Sequence, residues 1–112
     1  MPDEELFDAI SNLVLVLVAA DYDLLERDGR AGRLPAIQLE EAVRAYGKTL
    51  VPLPPEARAN IGMIERTDGS NELAVDVDLW TREEGRSDLT LQLTAKKIGD
   101  RYALSIDDLH ML

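Results

Sequence analysis

The apolar residues of this chain change period once, across a stretch broken by three prolines, and that change limits what the chain can fold into. Before the break they recur every third or fourth residue. Leu6, Ile10, Leu13 and Leu17 fall on one stripe, with Phe7, Val14 and Val18 beside it, while Glu4, Asp8, Ser11 and Asn12 share the opposite side. This is the pattern of an amphipathic helix. After the break the period is two. Leu73, Val75, Val77 and Leu79 alternate with Ala74, Asp76, Asp78 and Trp80, and Leu89, Leu91, Leu93 and Ala95 alternate with Asp88, Thr90, Gln92, Thr94 and Lys96. Strands with one buried and one wetted face have this form.

Local signals place the ends of the elements. Asp3 is suited to cap the first helix, with Glu4 and Glu5 in its first turn. Leu13 to Val18 could also be a buried strand, but the polar face before it favours helix. Leu15 and Val16 widen the apolar face, either for tertiary burial or for a contact between copies. Asp21 is expected to cap a short second helix through Tyr22, Leu24 and Leu25, ending at Asp28-Gly29. After an exposed Arg27–Arg33 turn and Pro35, Leu39, Ala42, Val43 and Tyr46 define a third helix, with Gly47 at its left-handed C-cap. Lys48 to Pro55 then forms an extended crossover, because Pro52, Pro54 and Pro55 exclude helix and central strand.

Four strands are expected beyond it. The first spans Ile61 to Arg66 and leads through an Asp68-Gly69-Ser70-Asn71 turn to the second, and the Gly99-Asp100 turn joins the third to a strand carrying Tyr102, Leu104 and Ile106. The alternation stumbles at Asp107-Asp108, which predicts a bulge before Leu109, Met111 and Leu112. The expected fold is α+β, with the N-terminal helices packed on one face of a four-stranded antiparallel meander. One domain is expected over residues 1–112, with helices over residues 1–47, a crossover over 48–60 and a sheet over 61–112.

Charge narrows the partners. The net charge of −10 is shared by both halves and repels phosphate backbones and anionic lipid, so neither nucleic acid nor membrane is an expected partner. A basic protein is. The absence of cysteine rules out thiol nucleophiles and thiolate metal sites and fits a cytoplasmic location. Leu13 to Ala20 is too short for a membrane span and lacks the basic leader of a signal peptide.

No phosphate-binding glycine loop, nucleophile elbow or metal-binding histidine pair occurs, so no catalytic, cofactor or metal residue is assigned. The candidate partner-binding residues are Trp80, Asp76, Asp78, Arg82 and Arg86. Asp76 and Asp78 share a strand face as paired carboxylates, or simply as its solvated side. Trp80, in the same row, sits beside the Thr81–Arg86 loop either as an interface anchor or as an aromatic at the core edge. His110 has carboxylate neighbours in Asp107 and Asp108 but no visible cleft, and Arg27, Arg30 and Arg33 are as suited to salt bridges as to binding an anion. The wet face with Trp80 and the wide first helix are also two candidate surfaces for a symmetric homodimer.

Two resemblances add to this reading. LVAADYDLLE, Leu17 to Glu26, resembles the helix-to-helix corner of NTF2-like domains, and helices followed by an antiparallel sheet are similar to that superfamily and to the cystatin-like architecture. That likeness implies a concave pocket between helices and sheet, used variously for small ligands, catalysis or protein contact. LWTREEGRSDLTLQL, Leu79 to Leu93, and the ending IDDLHML resemble a small uncharacterised bacterial family, which implies no site residues. The residues themselves favour a non-catalytic binding protein, of accessory or immunity type, over a small-ligand protein or enzyme.

Overall fold

A computed structural model describes residues 2–66 and 68–111, so Leu112 of the expected apolar end lies outside the described residues. Helix α1 spans Glu4–Val18 and begins as expected, with the Asp3 carboxylate accepting the Leu6 N–H at 2.8 Å. The second oxygen of Asp3 accepts the Tyr102 hydroxyl at 3.0 Å, so the cap also fastens the helix to the far strand. Helix α2 covers Tyr22–Arg27. Asp21 stands before it, but its side chain makes no capping bond, because the chain enters through a left-handed residue, Ala20. Helix α3, Ala36–Tyr46, ends at Gly47 in the left-handed conformation, and its first N–H is taken by Glu26 of α2 at 2.9 Å.

The crossover contains more order than its prolines suggest. Leu50–Val51 forms a two-residue strand β1, and a 3-10 helix follows at Pro55–Asn60. Strands β2 (Gly62–Glu65), β3 (Glu72–Thr81), β4 (Gly85–Ile98) and β5 (Arg101–Met111) form the expected meander. All pairings are antiparallel. Both β1 and β2 pair with β3, at Trp80-Thr81 and at Leu73–Asp76 respectively. The sheet thus has five strands rather than four, the fifth being the first half of an edge strand that the 3-10 helix interrupts.

The bulge predicted at Asp107-Asp108 is present: Gln92 faces Asp108 and Leu93 faces Ile106, leaving Asp107 as the extra residue. A second irregularity, between Asp78 and Trp80, has no counterpart in the alternation of the sequence.

One face of this sheet is sealed. Leu6, Ile10, Leu13 and Leu17 of α1 and Leu39 of α3 form one buried cluster with Val77, Leu79, Leu91, Leu93 and Ile106. Each of these side chains is essentially inaccessible. The wide apolar face of α1 resolves largely into tertiary packing, since Val16 and Val18 pack against the cluster and only Leu15 is strongly exposed. No described helix is long and apolar enough to cross a membrane.

The loop after α2 locks onto β5. Ile106 N–H donates to Arg30 O at 2.7 Å, and Gly32, at φ +63°, lies so close that an added Cβ would come within 2.3 Å of Ile106 O. Gly32→Ala therefore meets both a left-handed backbone and a collision with main chain, for an expected loss of about 2–4 kcal/mol. Gly29→Ala, also at positive φ but with open space around its Cβ, should lose only about 1 kcal/mol. Urea unfolding of the two variants measures the difference, and equal losses would show that the contact with Ile106 is not what restricts position 32.

Candidate functional site

Alternation along β3, β4 and β5 sends every second side chain to the face opposite the helices. Cross-strand register sorts these into rows: Ile64, Ala74, Thr94 and Ser105; then Asp76, Gln92 and Asp108; then Asp78, Thr90 and His110; then Trp80 and Arg86. From the Ala74 row to Trp80 the face extends about 20 Å. Carboxylates occupy its middle. Apolar residues stand at its ends, Ile64 at 72% exposure and Trp80 half-buried.

Four of the five candidate residues from the sequence lie together here. Arg86 Nε donates to Asp78 Oδ2 at 2.8 Å, and its Nη1 reaches Asn60 Oδ1 at 3.4 Å. The other Asp78 oxygen accepts the buried Thr90 hydroxyl at 3.0 Å. Asp76, one row away, accepts only a long bond of 3.4 Å from Gln92. The two carboxylates are therefore unequal, one held by an arginine and a hydroxyl and the other open to solvent. The Trp80 ring lies over Gly85, where an added Cβ would sit 3.7 Å from Cζ3.

Arg82 lies beyond the paired rows and is exposed. It lies in the β3–β4 turn, and its main-chain N–H donates to Thr49 O at 2.9 Å. That turn is tied to the helical layer by its acids: Glu83 accepts the Thr49 N–H at 2.8 Å and its hydroxyl at 2.9 Å, and Glu84 accepts the Tyr46 hydroxyl at 2.7 Å. These bonds favour an ionised Glu83, chiefly through the Thr49 N–H, and hold it below the usual carboxylate range. The hydrogen bond to Glu84 raises the Tyr46 hydroxyl instead.

Sequence reasoning does not include Asp107 and Asp108 among the binding residues, yet they complete the acidic centre. Asp107 accepts the Thr94 hydroxyl at 2.8 Å, and Asp108 accepts the Leu109 N–H at 2.8 Å. His110 Nδ1 stands 2.9 Å from Asp108 Oδ2, within ion-pair reach when protonated, although the ring nitrogen is not hydrogen-bonded. The bulge is the available signal, since the extra residue brings two adjacent acids to one face. Among the described residues no cluster of metal-ligating side chains occurs. The arginine cluster divides: Arg30 is held by Asp28 through contacts of 2.7 and 2.8 Å.

The space between helices and sheet, where an NTF2-like pocket would lie, is filled by the buried cluster. Clefts open at its rim instead, one of about 500 Å³ beside Arg66, Lys97 and Tyr102 and one of about 400 Å³ between Asp3, Met63 and Tyr102.

A family model places the chain in a family and supplies no activity. The sequence model of a domain of unknown function, DUF7668, matches residues 14–112, and the chain belongs to that family. No curated protein and no solved structure matches it. The NTF2-like resemblance therefore gains no support from the comparisons.

The ties of Asp3 and Glu83 give stability a pH dependence of definite sign. The Leu6 N–H is the main cause that lowers Asp3, and both carboxylates are lower in the folded chain than when free. Their contribution is complete above the ordinary carboxylate range and is lost as pH falls through it toward the lowered folded values. Melting temperatures between about pH 7 and pH 3 should fall less steeply for Glu83→Gln than for the natural chain. Parallel curves would remove Glu83 from the account.

Proposed function

We propose that this member of the DUF7668 family is a non-catalytic binding protein, of accessory or immunity type, that offers the uncovered face of its sheet to a basic protein. One observation carries this reading. Asp76, Asp107 and Asp108 share that face with no lysine or arginine ion-paired to them among the described residues; Arg86 pairs with Asp78, and Arg66 reaches the Thr94 hydroxyl that bonds Asp107, so carboxylates still outnumber the cations beside them. A face of this sign steers cations toward it and disfavours acidic competitors.

Trp80 and Ile64 supply apolar contact area at the two ends of the acidic centre, and the carboxylates between them require matching cations from the partner when they are covered. A cytoplasmic location remains compatible with the absence of cysteine. The alternative, a small-ligand protein or enzyme, needs an enclosed pocket with converging polar groups. Packing between helices and sheet favours the binding reading.

Affinity capture from extracts of the producing cell at about 50 mM and about 500 mM salt, followed by titration of the purified captured protein, tests the proposal. The expected partner is basic, is released by the higher salt, and binds Asp76→Asn/Asp107→Asn/Asp108→Asn at least about tenfold more weakly. Trp80→Ala should cost about 2 kcal/mol or more of binding energy. A partner that is acidic, or that binds the triple variant unchanged, would contradict it.

A further inference from the structure

The outer edge of β5 carries main-chain groups that the fold leaves without a protein partner. Ile98 and Arg101 close the two-residue turn Gly99-Asp100, so the hydrogen-bonded pairs with β4 fall at Arg101, Ala103 and Ser105. Tyr102, Leu104 and Ile106 therefore direct their N–H and C=O groups away from β4. Ile106 fixes the phase, because its N–H reaches outward to Arg30 O at 2.7 Å. At Tyr102 and Leu104 no main-chain or side-chain group among the described residues fills the equivalent place. Leu104 is only 7% exposed, so its edge is recessed, where unpaired peptide groups are costly.

That edge lies in a cleft of about 530 Å³. Ala9 and Asn12 of α1 and Gly29 wall it on the helical side, and Thr94, Ala103 and Ser105 on the other. Most of these side chains are small. The charged groups at its margin balance, Asp28 being paired with Arg30 and Glu72 standing opposite Lys96 in register.

We propose that this cleft receives an extended, uncharged segment of a partner protein as an added strand, hydrogen-bonded to Tyr102 and Leu104. The proposal rests on the chain being a binding protein and not on its acidic face. Main-chain pairing supplies the attraction, and the small walls admit side chains on both sides of the added strand. The Arg30 carbonyl already holds the next edge position at Ile106, which stops the segment there. The span from Tyr102 to Ile106 is about 14 Å, enough for four or five residues. A second copy does not fit this role. Its own β5 edge is recessed between the same walls, so two such edges cannot approach to pairing distance.

The test uses the full chain and a capped Thr-Val-Thr-Val-Thr pentapeptide as probe, followed by amide NMR. Saturable shifts and slowed exchange are expected at the Tyr102 and Leu104 amides, unchanged at about 0.5 M salt because no charge is involved. Filling the cleft from the exposed helix surface with Asn12→Trp should weaken binding at least tenfold. On the natural chain, methylating the peptide nitrogens that face β5 should do the same. Absence of saturable shifts at millimolar peptide, shifts that survive both changes, or salt-sensitive shifts centred on Asp76 and Trp80 would each overturn the proposal. Failure of the acidic-face variants with peptide binding intact would remove the proposed partner face and leave the strand site standing.

Discussion

The packing of α1 onto the inner sheet face is the contact on which the rest of the structure depends. Leu6, Ile10, Leu13 and Leu17 lie on one stripe of one helix, and they close over Val77, Leu79, Leu91, Leu93 and Ile106 from three strands. Each buried leucine or isoleucine contributes about 1.5–3 kcal/mol of transfer free energy, which must offset the ordering of the whole chain. Removing one to alanine costs about 2–5 kcal/mol where the core cannot collapse around the gap. Once this face is committed, strand alternation forces the polar residues to the other side, and the acidic surface is a geometric consequence.

The remaining ties hold the two layers in register. Asp3 joins the start of α1 to Tyr102 on β5, the Arg30 carbonyl joins the α2–α3 loop to Ile106, and Glu83 joins the β3–β4 turn to Thr49 after α3. These bonds lie around the margin of the apolar interface. The two carboxylate ties add orientation more than energy, since hydrogen bonds at exposed sites exchange with water at little net gain, whereas the Arg30 carbonyl satisfies a donor at the buried Ile106. Their placement leaves β5 covered at Ile106 and nearly inaccessible at Leu104.

Much of the fold is legible in the sequence because its signals are local. The helical period of α1, the caps Asp3 and Gly47, the two-residue period of β3 and β4 and the doubled acid of the β5 bulge each act over a few residues. What escapes depends on distant partners. Leu50-Val51 becomes a strand only because Trp80 and Thr81 present an edge to it, and no propensity in a proline-broken stretch announces that pairing. Asp21 has the right chemistry for a cap but the wrong entry geometry. At the candidate site, alternation alone puts Asp76, Asp78 and Trp80 on one face, and the pairing of Trp80 with Arg86 adds the fourth residue, whereas Arg82 lies in the turn, where its main-chain N–H bonds to Thr49 O. Asp107 and Asp108 read as a backbone irregularity, and their convergence with Asp76 requires the register of three strands.

Self-association belongs to the same question as partner binding, because a second copy and a basic protein would compete for the uncovered face. Leu15 lies on α1 and Trp80 on the sheet face opposite the helices, so a symmetric homodimer would use one of these surfaces, and at the Trp80 face it would bring two acidic centres together. The central claim is that this face is free in the isolated protein. Carbodiimide labelling of carboxylates, read residue by residue across micromolar concentrations, tests it most directly. The account predicts that Asp76 and Asp108 are modified readily at every concentration, and protection of both, constant or growing with concentration, would contradict it.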